Sequence, residues 1–89
     1  MYLHLGQDTV VKLSEVVAIF DLENASIAKA TKRYLALAQK QGLVVNVSTE
    51  LPKSFVVCVD EKGRTTVYIS QISSATLKKR TNFVKEISI

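Results

Sequence analysis

One cysteine, one histidine, one proline, three glycines and no tryptophan are all that this 89-residue chain holds of the residues that most often carry chemistry or break structure. Cys58 alone makes no internal disulfide, and His4 alone builds no metal cage. The three glycines are isolated, so no glycine-rich loop cradles a phosphate. No apolar run approaches the roughly 18–20 residues that span a bilayer. Residues 1–8 place no basic leader before an apolar stretch, so a secretory signal is not expected and the expected compartment is the cytoplasm. Aromatic residues make up 7% of the chain. Tyr2, Tyr34 and Tyr68 are scattered, which gives no stacking platform for single-stranded nucleic acid.

These shortages bear on catalysis. His4 lies in an expected strand, where a histidine is usually an ordinary, partly buried side chain. Cys58 sits inside Val56–Val59, and a thiol there behaves as a small apolar group; a nucleophile needs an exposed, electropositive niche. Asp60 and Glu61 are adjacent carboxylates, but they fall in a turn beside Lys62, in a domain too small for a glycosidase-like cleft. Ser14 and Ser73-Ser74 have no partner base. The expectation is a protein that is not an enzyme and has no metal site and no cofactor.

What is present is one small globular domain, residues 1–89. Hydrophobic residues make up 47% of the chain, charged residues 22%, and mean hydropathy is +0.17; a chain of this size folds alone around a modest core. Tyr2–Leu5 and Thr9–Leu13 read as two strands joined at Gly6-Gln7-Asp8, and Glu15–Phe20 as a third strand buried on both faces. Asn24 or Ser26 can cap a helix that runs from Ile27 and stops at Gly42, a residue suited to the left-handed C′ position. Ile27, Ala30, Tyr34, Leu37, Ala38 and Gln41 share its expected buried side, and Lys29, Arg33 and Lys40, with Lys32 beside them, form an outer cationic stripe.

Strands are expected again at Leu43–Val47, at Ser54–Val59, the strongest in the chain, and at Arg64–Ile69. The last two form a hairpin about Asp60–Gly63. Ser73 or Ser74 caps a short helix, residues 75–80, and residues 82–89 are an apolar tail. The fold class is therefore α+β: a small, mostly antiparallel sheet packed on one long helix, with a short C-terminal helix. Six short strands leave open edges, and a second copy is one way to close them.

Charge is distributed unevenly. Residues 1–23 carry one base, Lys12, against the acids Asp8, Glu15, Asp21 and Glu23. The other eleven bases fall in residues 24–89 with four acids, and no acid lies between Asn24 and Thr49. A one-signed region either attracts a polyanion or is simply a solvated face. The basic elements are the helix stripe, Lys53 with Arg64 flanking the next turn, and Lys78-Lys79-Arg80. Such residues contact phosphates and give affinity without sequence information.

Four blocks occur together and in order: Met1–Gly6, Val17–Asp21, Pro52–Val57 and Ile72–Arg80. In them the chain resembles the extracellular-matrix regulators of the Rem family in Gram-positive spore formers, in their B branch. The resemblance extends to about Thr81. It implies a cytoplasmic regulator of biofilm-matrix genes with a LytTR-like fold, assembled as a ring homo-oligomer, because the A branch is a ring-forming transcription activator that binds DNA. The A branch carries an arginine before the third strand, where this chain has Glu15. It also carries an arginine pair before the central strand, at about Leu51 and Pro52 here. That grip does not transfer. DNA contact would fall instead to Lys53, Arg33, Lys78, Lys79 and Arg80, pooled around an oligomer so that weak patches add by avidity. The expected partners are double-stranded DNA, further copies of the chain and a paralogous regulator, with no membrane. The alternative is an oligomeric scaffold or protein-interaction module that partners the paralogue and does not bind DNA.

Overall fold

A computed structural model describes residues 1–23 and 28–88, with 82–88 given by backbone alone. Strands β1 (Tyr2–Gly6) and β2 (Thr9–Lys12) form an antiparallel ribbon, and a single 3-10 turn at Leu13–Glu15 leads into β3 (Val16–Asp21). Helix α1 (Lys29–Lys40), β4 (Val44–Asn46), β5 (Ser54–Val59), β6 (Thr65–Ser70) and α2 (Ser74–Ser88) follow. The ribbon stands apart from a four-stranded sheet of order β3-β5-β6-β4. β3 and β6 run antiparallel to β5, and β4 runs parallel to β6. It follows that β3 and β4 point the same way at opposite edges of the sheet. α1 is the crossover that joins them, as parallel strands require.

β5 is central because its run Ser54-Phe-Val-Val-Cys-Val59 is apolar and rich in β-branched residues, which suits burial on both faces. Phe55 and Val57 point to one side and pack with Val67, Ile69 and Ala38 under α1. Phe20 stacks on Phe55 there, ring centroids 4.6 Å apart. Val56 and Cys58 point to the other side and meet Leu3, Leu5 and Val11 of the ribbon, Val47, and Leu77 of α2. The sheet is thus sandwiched between α1 on one face and the ribbon with α2 on the other.

Two polar ties fix the second layer. Ser54 and Ser70 are cross-strand partners with no exposed surface. The Ser70 hydroxyl donates to the Leu5 carbonyl and accepts from the Ile72 N–H at 3.0 Å, while the Ser54 hydroxyl donates to the Ile72 carbonyl at 2.7 Å. Gly6 has φ +118°, a backbone conformation that favours glycine; a Cβ there would lie 2.5 Å from the Oε1 at the movable end of the Gln71 side chain, so the backbone sets the requirement.

Both hairpins lie where the sequence places them, and α1 ends as expected. Gly42 (φ +74°) is at C′. The Leu43 N–H donates to the Ala38 carbonyl and the Gly42 N–H to the Gln39 carbonyl, the two bonds of a Schellman motif. Ser73 caps α2 through its hydroxyl, which accepts from the Thr76 N–H at 3.2 Å.

Four expectations are corrected. α1 is not the long helix: it has 12 residues and α2 has 15. Nothing between Thr81 and Ser88 is a glycine or proline, so α2 continues through the expected tail. Lys78-Lys79-Arg80 consequently lie well inside a helix rather than in its last turn. α1 begins at Lys29 with Ala28 at its N-cap, and Asn24 and Ser26 lie outside the described residues. The helix is also turned about one residue from the expected orientation. Ala38, with Leu35 beside it, faces the core, while Ala30, Tyr34 and Leu37 are exposed. Finally, β3 is an edge strand with no buried residue, and its Val17 is 65% exposed.

The serine ties lead to a stability prediction. Ser70→Ala leaves the Leu5 carbonyl and the Ile72 N–H without that hydroxyl, and should lower unfolding free energy by about 1–3 kcal/mol. Gly6→Ala should also destabilise. Urea denaturation of both variants checks this, and a wild-type midpoint for Ser70→Ala would show the tie to be idle.

Candidate nucleic-acid interface

The candidate cations sit on three different parts of the fold. Arg33 is on α1, roughly 160° round the axis from Leu35 and roughly 140° from Ala38 at 100° per residue, and so on its outer side. Lys29, Lys32 and Lys40 are exposed with it. Lys53 closes the loop before β5. Its backbone is pinned on both sides, the N–H donating to the Ser70 carbonyl and the carbonyl accepting from the Leu22 N–H, each at 2.9 Å. The side chain remains exposed. Lys53 therefore stands at the end of the sheet where β6 leaves for α2.

Lys78, Lys79 and Arg80 are all exposed on α2. Consecutive helical residues diverge by about 100°, and the three do not form one point. Lys78 turns towards Leu13 and the β3 residues Val16–Ile19, whereas Lys79 and Arg80 turn towards Tyr2, Leu3 and His4 of β1. The Arg80 Nη1 donates to the His4 carbonyl at 3.2 Å, which ties α2 to the ribbon.

The structure thus brings Lys78, Lys79 and Arg80 onto one helix, with Lys53 at the same end of the sheet as that helix's start. It does not bring Arg33 to them, because α1 covers the opposite face of the sheet. Among the described residues the one ion pair is Arg64–Asp60, 2.8 Å. Asp60 also accepts from the backbone N–H groups of Arg64 and Lys62 at 2.9 Å. Its carboxyl is held below the usual range, first by the Arg64 N–H and then by the Arg64 side chain and the Lys62 N–H. Arg64 is therefore engaged in its own turn, while the five candidate cations carry no carboxylate partner among the described residues.

The sites weighed for chemistry fall as follows. Cys58 is 4% exposed, and burial, with Glu15 adding to it, pushes its thiol up to about 11. His4 is exposed, with its Nε2 2.8 Å from the Gln7 carbonyl. Glu15 ends the 3-10 turn, half-buried, and Leu51, before Pro52, is 81% exposed. No described helix is long and apolar enough to cross a membrane.

Two features escaped the reading of the sequence. One is an open groove between the ribbon and α2; it joins residues more than seventy positions apart, and no local pattern marks it. The other is an exposed apolar band, Val17 with Tyr34 and Leu37. The hint for that one was Leu35, which gives α1 a second apolar stripe beside the expected one.

A four-stranded sheet covered on one face by α1 and on the other by the ribbon and α2 defines the class as a small α+β domain. The chain belongs to the extracellular matrix regulatory protein A-like family, whose model matches residues 2–81. It is 41% identical over 87 residues to extracellular matrix regulatory protein B of Bacillus subtilis (strain 168), an alignment that covers 98% of each chain.

The raised thiol has a measurable sign. Between its ordinary value of 9.0 and about 11 the unfolded chain loses the Cys58 proton while the folded one keeps it, so this group's contribution to stability falls as pH rises through that window. At pH 8 native Cys58 should resist iodoacetamide and react once urea unfolds the chain. Rapid alkylation of the native protein would contradict the burial.

Proposed function

We propose that this protein is a DNA-associated transcriptional regulator of extracellular-matrix genes in the cytoplasm, acting as a ring-shaped homo-oligomer by binding rather than by catalysis. The near full-length likeness to a protein named as an extracellular matrix regulator carries the regulatory part. The cationic surface supports the DNA part: Lys53, Arg33, Lys78, Lys79 and Arg80 are exposed and without carboxylate partners among the described residues. Such side chains exchange condensed counterions for phosphates.

Two observations support assembly. The four-stranded sheet ends in two edges, β3 and β4, which run parallel on opposite sides. A head-to-tail contact that repeats between two such edges closes into a ring or grows as a filament. Val17, Tyr34, Leu37 and Val45 lie 40–65% exposed on or near these edges, apolar side chains that a neighbouring copy would cover. A fold related to the LytTR DNA-binding domain follows from the family resemblance.

A second reading is an oligomeric scaffold that partners a paralogous regulator. It is favoured by Glu15, Leu51 and Pro52, which stand where the A branch has arginines; Leu51 in particular offers an apolar contact instead of a phosphate contact.

Gel shifts with nonspecific duplex at several salt concentrations separate the two. On the DNA reading, affinity falls linearly on a log–log plot against salt, and changing Lys78, Lys79 and Arg80 together to alanine weakens binding and flattens the slope by up to about 2.7 at about 0.9 per phosphate contact. If no shift appears even at low salt while light scattering reports an oligomer, the scaffold reading takes its place.

A further inference from the structure

The ribbon and residues 74–81 of α2 do not close on each other. Between them lies an open groove of roughly 620 Å³, in the size range of small-molecule sites. Leu3 and Leu13 supply its apolar floor, with Tyr2 and His4 on one bank and Thr76, Lys79 and Arg80 on the other. Among the described residues that line it there is no carboxylate. The Arg80 guanidinium is held at the rim by its bond to the His4 carbonyl, which occupies one of its five N–H donors. The alkyl stems of Lys79 and Arg80 extend the apolar wall while their heads stay in water.

This combination selects its occupant. A cation is repelled by Lys79 and Arg80. A bare inorganic anion makes no use of Leu3, Leu13 or Tyr2. A DNA phosphate can meet the two cations from outside but cannot fill an apolar floor. A molecule with an apolar body and a single anionic head satisfies both halves. We propose that the groove binds a small amphipathic anion of the medium-chain carboxylate type, and that this ligand competes with DNA for Lys79 and Arg80. The competition rests on the DNA reading above; the groove's own affinity does not.

Calorimetric titration of the full chain with octanoate tests it. Octanoate should bind, acetate at the same ionic strength should not, and Lys79→Ala or Arg80→Ala should each weaken octanoate about tenfold, as loss of a charged hydrogen bond does. Lys79 is exposed, so Lys79→Ala should keep the wild-type circular dichroism and melting curve and is the deciding variant; Arg80→Ala also removes the tie to the His4 carbonyl and should melt lower. Leu37→Ser, in the separate apolar band, should leave octanoate affinity unchanged. Acetate binding as well as octanoate, or loss of octanoate only in Leu37→Ser, overturns the groove. Gel shifts with and without octanoate test the second half. Weaker DNA binding in its presence supports competition, and simultaneous binding without mutual effect overturns it. If DNA binds and octanoate does not, the inference falls and the DNA reading stands. If octanoate binds and DNA does not at any salt, the DNA reading falls, competition falls with it, and the groove remains.

Discussion

Ser54 and Ser70 face each other across β5 and β6 with no surface in contact with water, and the second layer of the protein hangs on what their hydroxyls reach. One reaches the ribbon at Leu5 and the other the link to α2 at Ile72. A buried hydroxyl without a partner is costly, so these bonds specify position more than they add energy. They hold the ribbon and α2 over Val56 and Cys58, while α1 covers Phe55 and Val57. A strand buried on both faces needs both covers. The groove with Lys79 and Arg80 exists because the ribbon and α2 are fastened to the sheet at Ser70 and Ile72 and to each other at Arg80–His4.

The elements were legible where local chemistry decides them. The apolar run Ser54–Val59, the turn at Asp60–Gly63 and the stop at Gly42 each act within a few residues, and each appears as read. Orientation was harder. α1 carries apolar residues on two adjacent stripes, Ala30–Tyr34–Leu37 and Leu35–Ala38, and its own periodicity cannot choose between them. The sheet chooses, through the space left beside Phe55 and Val57. β3 shows the same limit. Its unbroken apolar run reads as a strand covered on both faces, yet an edge strand looks identical in sequence if its free face serves another contact.

The candidate cations were legible as types and not as a surface. Nothing local says that Arg33 and Lys78–Arg80 end on opposite faces of one sheet. That depends on α1 being a crossover and on α2 returning behind the ribbon, both consequences of strand order. The groove is still less visible, since it pairs Tyr2–His4 with Thr76–Arg80.

The separation of the cations constrains the regulator reading in a useful way. On the DNA reading a lone copy would offer the outer side of α1, the exposed side of α2 or Lys53 at the end of the sheet, because the sheet stands between the two helices. Neither helix face holds an arginine pair, so on that reading each contact would be weak. In a ring, repetition would change the arithmetic: once one copy is held, the others would act at high effective concentration, and modest contacts would multiply. The same repetition would make an occupied groove matter, because a bound carboxylate offsets one of the two charges of Lys79 and Arg80 on every copy and so weakens a summed interaction once per subunit. Strong single contacts would tolerate such a loss, whereas weak repeated ones would lose affinity steeply.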